Sequence, residues 1–115
     1  MRAMMTTYVA QQNAVGTGFL DRLAAAPMNF AAPGPMAAEM MGGLDLLADA
    51  HTISANTLVL TGQLDVRVPA QHMHEIADAI PGAQLVRFPG VGHLLHIEAP
   101  EEWGHTVSDF LREDG

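Results

Sequence analysis

The chain contains no cysteine and no lysine in its 115 residues, and the two absences exclude different things. Without cysteine there are no disulfides, no thiolate nucleophile and no thiolate metal ligand, and the redox compartment is left unmarked. Without lysine, all side-chain positive charge falls on five arginines, set against thirteen acids, for a formal charge of −8. Such a surface repels polyanions and has no basic stripe, so nucleic acid is not an expected partner. No apolar run approaches the roughly 20 residues that span a bilayer, so no membrane partner is expected either. The N-terminal MRAMMTTYVAQQNAV is broken by polar residues too early for a secretory signal. These absences lead to the expectation of a cytoplasmic protein.

Serine is nearly absent as well: only Ser54 and Ser108 occur. What is present is a composition 49% hydrophobic and 16% charged, which is globular, in a length that suits one domain. Its two parts differ in character. The part up to about residue 52 is rich in Met, Ala and Gly and carries a breaker cluster from Ala26-Pro27 to Pro35. Residues 4–24 are expected to form one or two helices interrupted at Gly16 and Gly18. A weaker helical segment covers 36–50, with a break at Gly42-Gly43, where each glycine would cost about 1 kcal/mol inside a helix. The methionines are read first as adaptable core filler and second as a ligand surface.

From Thr57 the pattern sharpens. The run TLVLT at 57–61, stopped by Gly62, fits a buried strand. Pro69 suits the first turn of a following helix, where its missing N–H is not needed. On that helix Met73, Ile76, Ala77 and Ile80 fall at i, i+3, i+4 and i+7 and make one apolar stripe. Pro81-Gly82 ends it. The run QLVRF at 84–88 is a second strand, stopped by Pro89-Gly90. A last helix opens at Pro100 with Glu101 and Glu102 in its first turn, where the helix dipole favours acids. Its expected buried face is Trp103, Val107, Phe110 and Leu111.

Strand, helix and strand within about thirty residues form a βαβ unit, so the strands are expected to be parallel. Both C-terminal ends then lie on the sheet edge where open α/β folds bind ligands. Asp65 follows the first strand and His93 the second, so the pair is expected to meet there. A carboxylate bonded to one imidazole nitrogen fixes the tautomer and supports the imidazolium formed when the other nitrogen takes a proton. The plainer readings are a turn or capping carboxylate for Asp65 and a satisfied loop histidine for His93. The catalytic reading, Asp65 with His93, gains from their matching positions.

Around these residues the sequence resembles the α/β-hydrolase fold. Gly62-Gln63-Leu64-Asp65 is similar to that fold's acid turn. Gly90-Val91-Gly92-His93-Leu94-Leu95-His96-Ile97-Glu98-Ala99-Pro100 resembles its histidine loop and closing helix, and Ile80-Pro81-Gly82-Ala83 the connection into the last strand. The resemblance covers 44–113 and is nearest to lid-bearing epoxide hydrolases, esterases and enol-lactonases. It implies an α/β fold: the C-terminal part of an α/β-hydrolase core at 44–115, preceded by a helical lid remnant at 1–43. It also implies a small ester, lactone or epoxide as substrate, with Asp65 orienting His93 and His93 acting as general base and then acid.

The nucleophile elbow, usually G-x-S-x-G, is missing. Ser54 precedes the first strand and Ser108 lies on the final helix, so neither serine fits. An oxyanion hole is also missing, and removing one of its donors costs on the order of 10²–10³ in rate. The chain therefore reads as a hydrolase part that is incomplete alone, or alternatively as a non-catalytic binding or interaction protein derived from such a part. A generic βαβ domain is a further alternative. No cofactor is expected, since no G-x-G-x-x-G occurs and Gly42-Gly43 does not follow a strand. No metal is expected either. His72 and His74 diverge by about 200° on a helix, and His93 and His96 lack further ligands. His51 and His105 are read as surface residues, and His96 as a helix lead-in or pocket wall. Glu98 is read either as a hydrogen-bonding support of the histidine loop or as a solvated acid. The far edge of the first strand is expected to be open, which favours self-association or pairing with a chain that supplies the rest of the sheet.

Overall fold

The computed structural model describes residues 14–26 and 45–113. Its centre is a parallel pair of strands, β1 (Leu58–Gly62) and β2 (Gln84–Phe88), in the register Leu58↔Gln84 through Gly62↔Phe88. Between them runs α1 (Ala70–Ala79). The βαβ unit is thus present with the expected parallel pairing. β1 begins one residue later than the TLVLT run suggested and takes in Gly62, because Gly62 still pairs with Phe88. Thr57 keeps one bond of the ladder, its carbonyl accepting the Gln84 N–H at 2.9 Å.

The apolar stripe of α1 packs as its spacing requires. Ala77 and Ile80 are buried and Met73 and Ile76 half-buried, laying this face on the strands. Pro69 stands one position before the helix, as its N-cap, not within the first turn. Val59 and Thr61 on β1, with Phe88 and Val91, complete the buried centre, and Phe88 is fully enclosed.

Preceding β1 is a short 3-10 helix, Leu47–Thr52, in contact with α1. It occupies the end of the segment expected to be helical over 36–50; Asp45 and Leu46 are not helical, and 36–44, with Gly42-Gly43, lies outside the described residues. So do the breaker cluster from Pro27 to Pro35 and most of the proposed lid, 1–43. Of that lid only one helix, α2 (Ala14–Ala25), is described. It runs through Gly16 and Gly18, so the expected interruption does not occur. Glycine's helix penalty is a weak preference that tertiary contacts override, and α2 lies against the helical turn α3 (Leu95–Glu98).

The closing helix, α4 (Pro100–Glu113), starts where expected. Its apolar stripe is not a buried face: none of its residues is buried, Val107 and Phe110 are half-buried, and Trp103 and Leu111 are 36% and 63% exposed. Periodicity identifies which face is apolar but not what covers it. No helix among the described residues is long and apolar enough to cross a membrane.

Candidate active site

The parallel register brings the turns after β1 and β2 to one edge, and backbone bonds then join them. The Gln63 N–H donates to the Phe88 carbonyl and the Leu64 N–H to the Val91 carbonyl, both at 2.9 Å. Gly62 makes this approach possible. A Cβ there would overlap the Gly92 and Val91 carbonyl oxygens, and both are backbone atoms with little room to move. Gly62→Ala should therefore destabilise the chain by about 1–3 kcal/mol, the range for overpacking, and displace the 89–94 loop. Urea unfolding and amide shift changes confined to 62–65 and 89–94 would check this. In the second turn Gly90 sits at φ 70, a left-handed conformation that glycine adopts without strain.

On this frame Asp65 and His93 meet. The His93 Nδ1–H donates to Asp65 Oδ2 at 3.0 Å across 28 residues of sequence. The other carboxylate oxygen, Oδ1, accepts the Arg67 N–H at 2.8 Å and the Val68 N–H at 3.0 Å. Asp65 therefore holds its own turn with one oxygen and meets His93 with the other. The acid is sheltered and the base is reachable, with side chains 7% and 32% exposed. Burial pushes the Asp65 carboxyl up, but the Val68 N–H, the His93 imidazole and the Arg67 N–H together outweigh it. The group is held below its ordinary value of 3.8.

The sign of that shift sets a pH dependence. A carboxyl lowered in the folded state contributes stability that is complete above its ordinary value and is lost as the pH falls through the lowered one. Asp65→Asn should accordingly flatten the acid limb of a stability-against-pH curve from about pH 5 downwards. Urea midpoints measured across that range for both proteins would show it.

Asp65 and His93 line a small pocket of about 120 Å³ with Leu60, Gly62, Val68 and Met73. Thr61 lines it too, 2% exposed, and its hydroxyl has no hydrogen-bond partner among the described residues. A larger concavity of about 660 Å³ lies elsewhere, between the 3-10 helix and α1, and touches neither Asp65 nor His93. Leucine and isoleucine make half of its walls, with Asp49, His72 and Glu75 among the rest.

A 2-hydroxymuconate semialdehyde hydrolase of Pseudomonas putida is 37% identical over 75 residues, covering 62% of this chain and 27% of its own length. An esterase of Thermogutta terrifontis is 36% identical, with a TM-score of 0.58 over 60% of this chain and 25% of the esterase. An esterase from Exiguobacterium antarcticum superposes on 96% of this chain and 41% of itself, with a TM-score of 0.78 at 18% identity. The chain has the fold of the C-terminal part of an α/β hydrolase. It spans about a quarter of the length of the curated relatives it matches, and no family model matches it.

Within this fold, the other candidate residues separate. Ser54 and Ser108 are both exposed and neither lines the pocket of Asp65 and His93. His72 faces the larger concavity, whereas His74 Nε2 accepts from Arg87 Nη2 at 2.7 Å, the divergence expected of i,i+2 positions. Among the described residues no group of three or more His, Asp or Glu is placed to hold a metal ion. His96 lies on α3 with its ring 6.0 Å from that of Trp103, tilted by 55°, and is not a wall of the small pocket. His51 and His105 are exposed.

Two residues matter more than their sequence positions announced. Gln63 Oε1 accepts the Gly90 N–H at 3.0 Å, which gives the residue between Gly62 and Leu64 a part in holding the loops together. Glu98 Oε2 accepts the Gly92 N–H at 2.8 Å, so of its two readings the loop support holds. A polar side chain five residues after the histidine was the only available signal for Glu98. For Gln63 there was none.

Proposed function

We propose that this chain supplies the acid and the base of an α/β-hydrolase active site that acts on a small ester, lactone or epoxide. The observation that carries the reading is the 3.0 Å bond from His93 Nδ1 to Asp65 Oδ2 at the C-terminal ends of two parallel strands. With Nδ1–H committed to the carboxylate, Nε2 is the basic nitrogen. It would take a proton as the nucleophile attacks the substrate and return it to the leaving group, with Asp65 stabilising the imidazolium in between. The similar sequences and structures named above are hydrolases and esterases, which supports the reaction class. Residues 1–43 are proposed as the lid segment and 44–115 as the core segment. The contact of α2 with α3, just beyond His93, supports that division.

The nucleophile is proposed to come from a further segment or chain whose strand pairs along the edge of β1 that has no partner strand among the described residues. A two-stranded sheet is marginal in water, and an open edge seeks a partner. Sedimentation should show concentration-dependent association, with β1 amides gaining hydrogen-exchange protection as it proceeds. A purely monomeric species with β1 already well protected would overturn this part of the proposal.

A second reading, a non-catalytic interaction protein, is favoured by the exposed apolar side chains Leu46, Val66 and Leu111, each more than 60% exposed. An assay on an activated ester separates the two. Turnover by the chain, alone or with a nucleophile-bearing hydrolase segment, that disappears in His93→Ala supports the enzyme. No turnover in either setting supports the interaction protein.

A further inference from the structure

We infer that Glu98 and Gln63 are positioning residues for His93, acting through the glycine N–H groups of the loop that carries it. The inference rests on the acid–base reading of Asp65 and His93. The loop's three residues 90–92 are each anchored from outside it. The Gly90 N–H donates to Gln63 Oε1 at 3.0 Å, the Val91 carbonyl accepts from the Leu64 N–H at 2.9 Å, and the Gly92 N–H donates to Glu98 Oε2 at 2.8 Å. Two of these anchors come from the turn that also carries Asp65. The third comes from the end of α3, on the far side of His93 in sequence. The imidazole is thus bracketed between the element that bears its acid partner and the helix that follows it.

Glu98 carries the greater share. Gly92 is buried, so its N–H needs a partner, and an unpaired buried donor is costly. A carboxylate acceptor makes a bond roughly twice as strong as a neutral one. That N–H belongs to the residue immediately before His93. Rotation there would swing Nδ1 away from Asp65 Oδ2, and their 3.0 Å separation already lies in the longer half of the usual range. In this role Glu98 acts by fixing the backbone from which the base projects.

The test is the far-downfield Nδ1 proton resonance of His93 in the ¹⁵N-labelled full chain, which reports the bond to Asp65 directly. The wild-type chain should show it, with slow solvent exchange. Glu98→Gln, whose amide oxygen still accepts the Gly92 N–H, should keep it. Glu98→Ala should lose it or speed its exchange about tenfold, the factor expected for one ordinary hydrogen bond. Gln63→Ala should have a smaller effect in the same direction. Ile80→Ala, which removes buried side chain at the opposite end of α1, should lower stability yet keep the resonance. Should Glu98→Ala not fold, Glu98→Asp, which withdraws the acceptor by one methylene, gives the same reading.

An unchanged resonance and exchange rate in the acceptor-deleting variants would overturn the inference. So would equal loss in Glu98→Gln, or equal loss in Ile80→Ala. A wild-type chain with no such resonance would instead overturn the acid–base reading itself.

Discussion

Phe88→Ala is expected to leave the chain without a cooperative unfolding transition. The ring is fully enclosed, with 0% exposure, at the last position of β2. The Phe88 backbone carbonyl receives the Gln63 N–H, the first bond joining the turns that carry Asp65 and His93. Deleting a buried phenylalanine ring costs about 3–5 kcal/mol. A unit of this size holds on the order of 5 kcal/mol in total, so the loss is comparable with the whole. Far-UV circular dichroism should retain helical signal in Phe88→Ala, while its urea transition becomes broad and shallow. Leu111→Ala provides the contrast. Leu111 belongs to the apolar stripe of α4 but is 63% exposed, so its truncation should stay within about 0.5 kcal/mol. A Phe88→Ala midpoint near that of the wild-type chain would refute the enclosed core described here.

The contrast between Phe88 and Leu111 shows where a sequence is informative about this fold. Both sit in patterns read without difficulty: Phe88 in a short β run, Leu111 on a helical stripe. Alternation and the 3.6-residue repeat report which side of an element is apolar, and they located β1, α1, β2 and α4 to within a residue or so. They do not report whether a surface exists to receive that side, and α4 proved largely uncovered. Gly16 and Gly18 misled in the other direction, because a local propensity of about 1 kcal/mol is smaller than what tertiary contact supplies.

The Asp65–His93 pair was legible because topology, not distance in sequence, sets it. Parallel strands place their C-terminal turns together whatever lies between. The support of that pair was not legible. The Gln63 contact with Gly90 spans 27 residues and follows from the tight packing at Gly62, a three-dimensional approach that imprints no periodicity on the chain. The Thr61 hydroxyl, without a hydrogen-bond partner among the described residues, is invisible for the same reason, since threonine in a buried strand is an ordinary choice.

The division of labour between the two oxygens of Asp65 makes Asp65→Asn the most discriminating substitution in this chain. Asparagine's amide oxygen can take the place of Oδ1 and continue to accept the Arg67 and Val68 N–H groups, so the turn should fold. The amide NH₂ then stands where Oδ2 stood. It donates to His93 Nδ1 where the carboxylate accepted from it. The imidazole is driven into the tautomer that carries its proton on Nε2, the nitrogen that the proposed mechanism needs as the base. Stabilisation of the imidazolium is lost at the same time. In a chain supplied with its nucleophile, ester turnover should fall by about four orders of magnitude, while the thermal midpoint at neutral pH changes only modestly. The effect should appear chiefly in kcat, because the lost interaction forms as charge develops in the transition state. The tautomer itself is open to measurement: ¹⁵N shifts of His93 should report a protonated Nδ1 in the wild-type chain and a protonated Nε2 in Asp65→Asn. Unaltered turnover with the tautomer reversed would show that His93 is not the base. Reduced turnover with the tautomer unchanged would assign Asp65 to the turn alone.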